Sequence, residues 1–291
     1  MPYEAEFWAA ELPGCGLVVD AGFSFTHAVP IFDWRVLEKG VRRMDLGGKA
    51  LTNQMKTLVS YRSINMMEET FLMNHIKEEL CFVSQDALAD LALSKGRKST
   101  HKRVYVLPDG VHSRLGHVLD EEAGEQLPQQ KDMVLTVNNE RFMVPELIFR
   151  PSDIGLAEAS LAEMIVEAVE ACHPALRGLL YSNVFLMGGT CRCPGFLERL
   201  KSELRPLVPD AYEVHIHLAE DPITCAWQGQ RLLAADPASQ GRWLTRAAYQ
   251  QQRSALLRAQ TPLEADLEGS LEHVWDTDDE ADGLGGVYSY A

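Results

Sequence analysis

Short apolar runs of strand length alternate along the chain with stretches in which apolar residues recur every three or four positions. Gly16–Asp20 (GLVVD) and Phe23–Ile31 (FSFTHAVPI) flank the Ala21-Gly22 break and predict a β-hairpin. From Gly48 the period lengthens: Leu51, Met55, Leu58 and Val59 share one helical face, and Leu72, Ile76 and Leu80 predict a second helix over 69–80. Tyr105–Gly110 reads as a strand entering a turn. Met133–Val137 and Glu140–Val144 read as a hairpin around Asn138-Asn139. Leu156, Leu161, Met164, Ile165, Ala168, Val169 and Cys172 form a helical stripe, entered at Pro151 and stopped at Pro174. Ser182–Met187 is a buried-strand run that ends on Gly188-Gly189-Thr190, and Pro194-Gly195 opens the helix FLERLKSEL. A strand over 212–218 and a helix near 227–233 complete an alternation that argues for an α/β fold.

Composition narrows the classes. The 291 residues suit one large or two modest domains, and 46% hydrophobic with 24% charged residues is a globular balance. No apolar run reaches the roughly 18 residues of a membrane span, and the opening MPYEAEFWAAELPG lacks a basic-then-apolar leader pattern. The net charge of -15 is uneven. No Lys or Arg follows Arg258, and Glu264, Asp266, Glu268, Glu272, Asp276, Asp278, Asp279, Glu280 and Asp282 crowd the end. Phosphates would repel such a chain, so wrapping DNA is not its task. The acidic end reads as a solvated, disordered tail, or as a contact for basic partners such as histones.

Six cysteines (Cys15, Cys81, Cys172, Cys191, Cys193, Cys225) include no CxxC pair, and Cys191-Arg-Cys193 is too tight for ordinary zinc spacing. His215 and His217 fall on one side of a strand without further ligands in view. A reduced, intracellular, metal-free protein is expected. Lys95, Arg97, Lys98, Lys102 and Arg103, within the loop-like stretch 94–130, read as a solvated loop or a nuclear import signal.

Two segments carry candidate chemistry. A strand ending in Gly188-Gly189-Thr190 before a helix lets a ligand touch the backbone near free N–H groups. Asp20-Ala21-Gly22, with Thr26 beyond, places an acid at a strand end and a glycine in a turn, where a hydrated cation and phosphates are held in other proteins. Alone, the first is equally a tight turn and the second an ordinary hairpin, and Lys77-Glu78 is by itself a solvated helix face. No GxxxxGK[ST], HExxH or GxSxG motif is present.

Taken in order, LVVDAGFSFTHAVPI, RMDLGGKALT, IKEELCFVSQD, YVLPDG, NERFMVPELIFRPSDIG, LYSNVFLMGGTCRCPGF and AWQGQRLLA resemble the actin family over Gly16–Gln252. SYRSINMMEET before KEELCFVSQD, and the added stretch after YVLPDG, resemble its nuclear actin-related protein six class. The resemblance implies an actin-like, ribonuclease-H-like fold of the actin, chaperone and hexokinase superfamily. Its core would be 16–47 and 145–252, with a smaller helix–hairpin subdomain inserted at 48–144, a leader at 1–15 and a tail at 253–291. The family's first half would stand before Gly16, so the resemblance implies an N-terminally shortened chain with the first half missing. Ligands of such sheets sit at the carboxyl ends of strands, where Asp20 and Gly188 fall.

The resemblance assigns nucleotide binding to Asp20, Gly22, Thr26, Lys77, Glu78, Gly188, Gly189 and Thr190. It also exposes departures. Phe23-Ser24 replace the Asp-Gly pair of the phosphate hairpin, Asn74 replaces an Arg, Ile223 a Lys, and Arg192-Cys193 the Met-Tyr pair of the adenine pocket. Each charge-assisted phosphate bond contributes roughly 1.5–3 kcal/mol, so ATP is expected to bind weakly and without hydrolysis, with no catalytic residue. The class implies a non-catalytic structural subunit of a chromatin-remodelling complex that exchanges a variant histone. Its partners would be a Swi/Snf-type motor, other subunits and histones, with no membrane and no sequence-specific DNA contact. Its location would be nuclear with a cytoplasmic pool. A nucleotide-cycling ATPase and a cytoskeletal filament protein are the alternatives.

Overall fold

The computed structural model describes residues 14–96, 99–110, 113–119 and 133–250. The expected acidic tail, nearly all of the 1–15 leader, and 97–98, 111–112 and 120–130 of the 94–130 loop, with Arg97 and Lys98, lie outside them. The strands are β1 (Gly16–Ala21), β2 (Thr26–Phe32), β3 (Arg35–Val36), β4 (Arg42–Met44), β5 (Arg103–Val106), β6 (His117–Val118), β7 (Val134–Val137), β8 (Val184–Met187) and β9 (Ile216–Leu218). The α-helices are α1 (Gly48–Arg62), α2 (Thr70–Leu80), α3 (Ala87–Ser94), α4 (Glu140–Glu146), α5 (Leu161–Glu170), α6 (Pro174–Tyr181), α7 (Phe196–Leu207) and α8 (Cys225–Ala235). The fold is α/β, as the alternation predicts.

The main sheet has the order β3-β2-β1-β8-β9, with β4 also on β2. It is mixed: β1 runs antiparallel to β2 and parallel to β8, and β8 is parallel to β9. Leu17, Val19 and Ala21 alternate into the core, as period two requires of a central strand. Helix α5 lays Leu161, Ile165, Ala168 and Val169 against β2, β4 and α7. Its start is fixed by a capping box, in which Ser160 Oγ accepts from Glu163 N–H and Glu163 accepts from Ser160 N–H. The β4 connection passes very close to α5: a Cβ on Gly40 would lie 2.6 Å from Cys172 Sγ and 2.8 Å from Ala168 O.

A second sheet, β6-β5-β7, stands with α1 to α4 inside the stretch read from sequence as an insertion. Here one expectation is corrected. Val134–Val137 pairs with β5, but Glu140–Val144 is helical and forms no return strand. Glu140 reaches back to accept the Asn138 N–H at 2.9 Å, and Arg62 holds the same carboxylate at 2.5 Å, which stabilises a helical turn. Pro145 cannot donate to the Arg141 carbonyl; the Phe82 N–H takes that acceptor at 3.0 Å. Helix α6 was also not anticipated. Pro174 does stop the α5 stripe, but it then occupies the first position of a new helix, where its missing N–H costs nothing.

Buried Arg199 of α7 joins these layers. It makes a bidentate pair with Glu146 of α4 at 2.7 and 3.0 Å, and also bonds Ser84 O and Glu203. Burial raises the Glu146 pKa against the pull of the guanidinium, while the two carboxylates hold Arg199 charged.

Packing divides the chain into units 1–228 and 229–291, and residues 48–144 fall wholly within the first. In the second, a 3-10 turn over Pro237–Arg242 is tied by Ser239 Oγ to Leu233 O, and Trp243 Nε1 donates to Ser239 Oγ. No helix among the described residues is long and apolar enough to cross a membrane.

Candidate functional site

The parallel pairing of β1 with β8 sets Asp20 opposite Met187, so the turns that follow both strands open at the same end of the sheet. Gly188 follows at φ 97° and ψ 151°, a region essentially confined to glycine. A Cβ there would lie 2.3 Å from Ala21 O and 2.6 Å from Asp20 Oδ1. The next glycine is open, since a Cβ on Gly189 would meet only Ile223 Cγ1, at 3.7 Å. Thr190 Oγ1 donates to Gly22 O at 2.8 Å and locks the two turns together.

These turns and α2 border a cleft of about 580 Å³. Asp20, Gly22, Lys77, Glu78, Gly188, Gly189 and Thr190 all line it. Thr26 does not reach it. Its side chain is fully buried and donates to Leu46 O at 2.8 Å, so it holds the β2–α1 connection and does not face the cleft. The hairpin period itself explains this, because Thr26 begins β2 on its core-facing side. Sequence reasoning missed Gly48, Leu51, Cys81 and Pro145 as lining residues. Gly47-Gly48 was the one available signal: a Cβ on Gly47 would fall 2.7 Å from Phe23 O, so the hairpin turn rests directly on the start of α1.

That contact decides the electrostatics. The first N–H groups of a helix ordinarily attract anions. In α1, Gly48 N–H donates to Gly22 O at 3.1 Å and Lys49 N–H to Phe23 O at 2.7 Å. The Gly22 N–H is likewise used, by Phe25 O at 3.0 Å. Lys77 Nζ is turned toward protein oxygens, with Gly48 O at 3.1 Å, Thr52 Oγ1 at 3.0 Å and Asn74 Oδ1 at 2.8 Å. Asn74 is itself held by Glu78 Oε1 at 2.8 Å. Burial lowers the Lys77 pKa, with Glu78 opposing. The Phe23 ring lies with its centroid 6.0 Å from the ammonium and its Cδ2 close over Gly48.

The nucleotide implied by the resemblance can be tested against this geometry. The glycine backbone at 188–189 and the acid at Asp20 are in place. The phosphate side is not: the first N–H groups of α1 are spent on the hairpin carbonyls, Lys77 is turned toward protein oxygens, an aromatic ring stands at the hairpin, and Ile223 offers no charge. Arg192 is the remaining cation of the lining, against Asp20, Glu78 and Glu79. The residues present do not fit a triphosphate. Nor is the cleft a thiol site, since burial pushes Cys191 and Cys193 up to about 12, and Lys77 offsets this only partly at Cys193. No group of three or more potential metal ligands occurs among the described residues, His215 and His217 included.

Comparison with known proteins bears on this cleft. The family model Actin matches residues 6–262. Actin-related protein 6 of Arabidopsis thaliana is 46% identical over 264 residues, which cover 84% of this chain and 63% of that protein. Actin-like protein ARP6 of Yarrowia lipolytica is 41% identical over 233 residues (80% and 59%), and Actin-related protein 6 of Drosophila melanogaster 41% over 223 (76% and 56%). The chain thus spans about three fifths of the length of these curated relatives.

Proposed function

The chain belongs to the actin family, and from that premise we propose that it is a non-catalytic structural subunit of a nuclear chromatin-remodelling complex that exchanges a variant histone, acting in transcription regulation. One observation carries the non-catalytic part: the first N–H groups of α1 are consumed by the hairpin carbonyls Gly22 O and Phe23 O, and the hairpin presents the Phe23 ring to the cleft. Phosphoryl transfer is achieved almost wholly by positioning and charge stabilisation, and helix N–H groups committed to their own hairpin supply neither. Similarity to proteins named Actin-related protein 6 supports the assignment to a remodelling assembly. Its partners in this reading are a Swi/Snf-type motor, other subunits and histones, and its location is nuclear with a cytoplasmic pool.

Calorimetric titration of Mg-ATP into the purified chain, paired with a phosphate-release assay, tests the first part. Affinity no tighter than millimolar and no turnover are expected. Micromolar binding with steady hydrolysis overturns it. The second part predicts that affinity purification from nuclei recovers a Swi/Snf-type motor and a variant histone at stoichiometric levels; recovery of cytoskeletal proteins in their place refutes it. The ATPase reading keeps one observation in its favour, the Gly188-Gly189 cradle beside Asp20, and the same titration decides it.

A further inference from the structure

Helix α3 is apolar nearly all round and leaves one apolar face in solvent. At 100° per residue, Leu88, Ala92, Ala89 and Leu93 fall in that order across an arc of about 140°, and all four are exposed, Leu88 by 80% and Leu93 by 60%. The opposite side holds Asp90 and Ser94 together with half-buried Ala87 and Leu91. Asp90 accepts from Ser84 Oγ at 2.5 Å and lies 3.1 Å from His101 Nε2. Ser94 is buried, and its carbonyl accepts from Asn138 Nδ2 at 2.9 Å. A surface helix normally turns its apolar stripe to the core. Here hydrogen bonds anchor the helix from below and leave a Leu-Ala-Ala-Leu face in water. Asp86 caps the N-terminus by accepting the Ala89 N–H, which fixes the helix against fraying.

We infer that this face is a docking surface for an amphipathic helix of a partner protein whose polar flank is acidic. Three features select that occupant. The charges at the C-terminal end of α3 are basic: exposed Lys95 ends it, and exposed Lys102 and Arg103 follow on a segment tied to it through His101–Asp90 and Asn138. Ala89 and Ala92, at the centre of the arc, let another helix approach closely between the two leucines. Finally, eight residues give a helix about 12 Å long, a face that a few turns of one docked helix span. This inference concerns a different face from the cleft and does not depend on its reading.

The probe is a fluorescein-labelled synthetic peptide with leucines at i, i+3, i+4 and i+7 spacing and glutamates on the other face, with a scrambled peptide of the same composition beside it. Fluorescence anisotropy against the purified chain should show saturable binding of the patterned peptide and none of the scrambled one. Leu88→Glu and Leu93→Glu should each weaken it about tenfold, as should Lys102→Glu, and raised salt should weaken wild-type binding similarly. Circular dichroism and thermal midpoints check that the variants remain folded, as expected for exposed positions; Ala92→Glu serves as a second variant on the same face should either leucine change unfold the chain. Absence of binding, equal binding of the scrambled peptide, or affinity unchanged by the face variants overturns the proposal. Concentration-dependent dimerisation in sedimentation velocity that Leu88→Glu abolishes also overturns it, in favour of self-association.

Discussion

A single ammonium group shows how burial redirects a familiar residue. Charging Lys77 in the fold is disfavoured by burial, so its pKa lies below the unfolded 10.5. Between the folded value and 10.5 the unfolded chain binds more protons, and stability there rises with pH. Urea titrations across the alkaline range should therefore show a rise in wild-type stability that Lys77→Met lacks; parallel profiles would contradict the assignment. Near neutral pH the same variant should lose about 1–3 kcal/mol, because Asn74 Oδ1 and Gly48 O are left with one Thr52 hydroxyl hydrogen between them. Glycines give a sharper contrast. Gly188 and Gly155 both have positive φ, but nothing lies within 4 Å of a Cβ on Gly155, whereas one on Gly188 would strike backbone at 2.3 Å. Gly155→Ala should cost about 1 kcal/mol and Gly188→Ala clearly more than the roughly 1–3 kcal/mol of conformational strain alone. Denaturation midpoints measured side by side check the order.

At the scale of elements, helix ends and helix contacts are separately testable. Ser160→Ala removes the α5 cap and should cost about 1 kcal/mol. Glu163 has its pKa lowered by the Ser160 N–H that it accepts, so its contribution is present above pH 4.5 and is lost as pH falls through the folded value. Glu163→Gln should flatten that acid limb in pH-dependent unfolding. Between α4 and α7, Arg199→Leu leaves Glu146 buried without its partner and should cost roughly 3–5 kcal/mol, while Glu146→Leu with Arg199→Leu should recover much of it. A double-mutant cycle measures this directly; a double variant as unstable as the single one would mean that packing rather than charge dominates.

Across the whole molecule the thiols report on packing. None of the six cysteines is in a disulfide, and only Cys193 is more than marginally exposed. With Cys191 and Cys193 pushed up to about 12 and Cys81 raised further, thiolate is scarce at neutral pH. Maleimide labelling of the native chain should be slow, led by Cys193, and should reach all six only in denaturant. Rapid native labelling of Cys81 or Cys191 would contradict this packing. At this scale too, the cleft is a meeting of distant segments: Thr190 bonds Gly22 across 168 positions, and Lys77 bonds Gly48 across 29.

Local pattern was enough for the strands at 16–21 and 184–187, the helices at 48–62 and 70–80, the glycine turns beyond β1 and β8, and the ordered motifs that point to the actin family. Each of these is written in neighbouring residues, through period, turn chemistry and strand length. What no local pattern holds is the fate of a polar group after chain segments meet. Thr26 faces Leu46 and not the cleft, Lys77 turns its ammonium to oxygens of α1 and Asn74, 140–146 coils around Arg62 and Phe82 and does not extend, and α3 leaves Leu88 and Leu93 outward because Ser84, His101 and Asn138 hold its other side. Hydrogen bonds between groups far apart along the chain made those choices, since a buried donor or acceptor must find its partner wherever the tertiary fold supplies one.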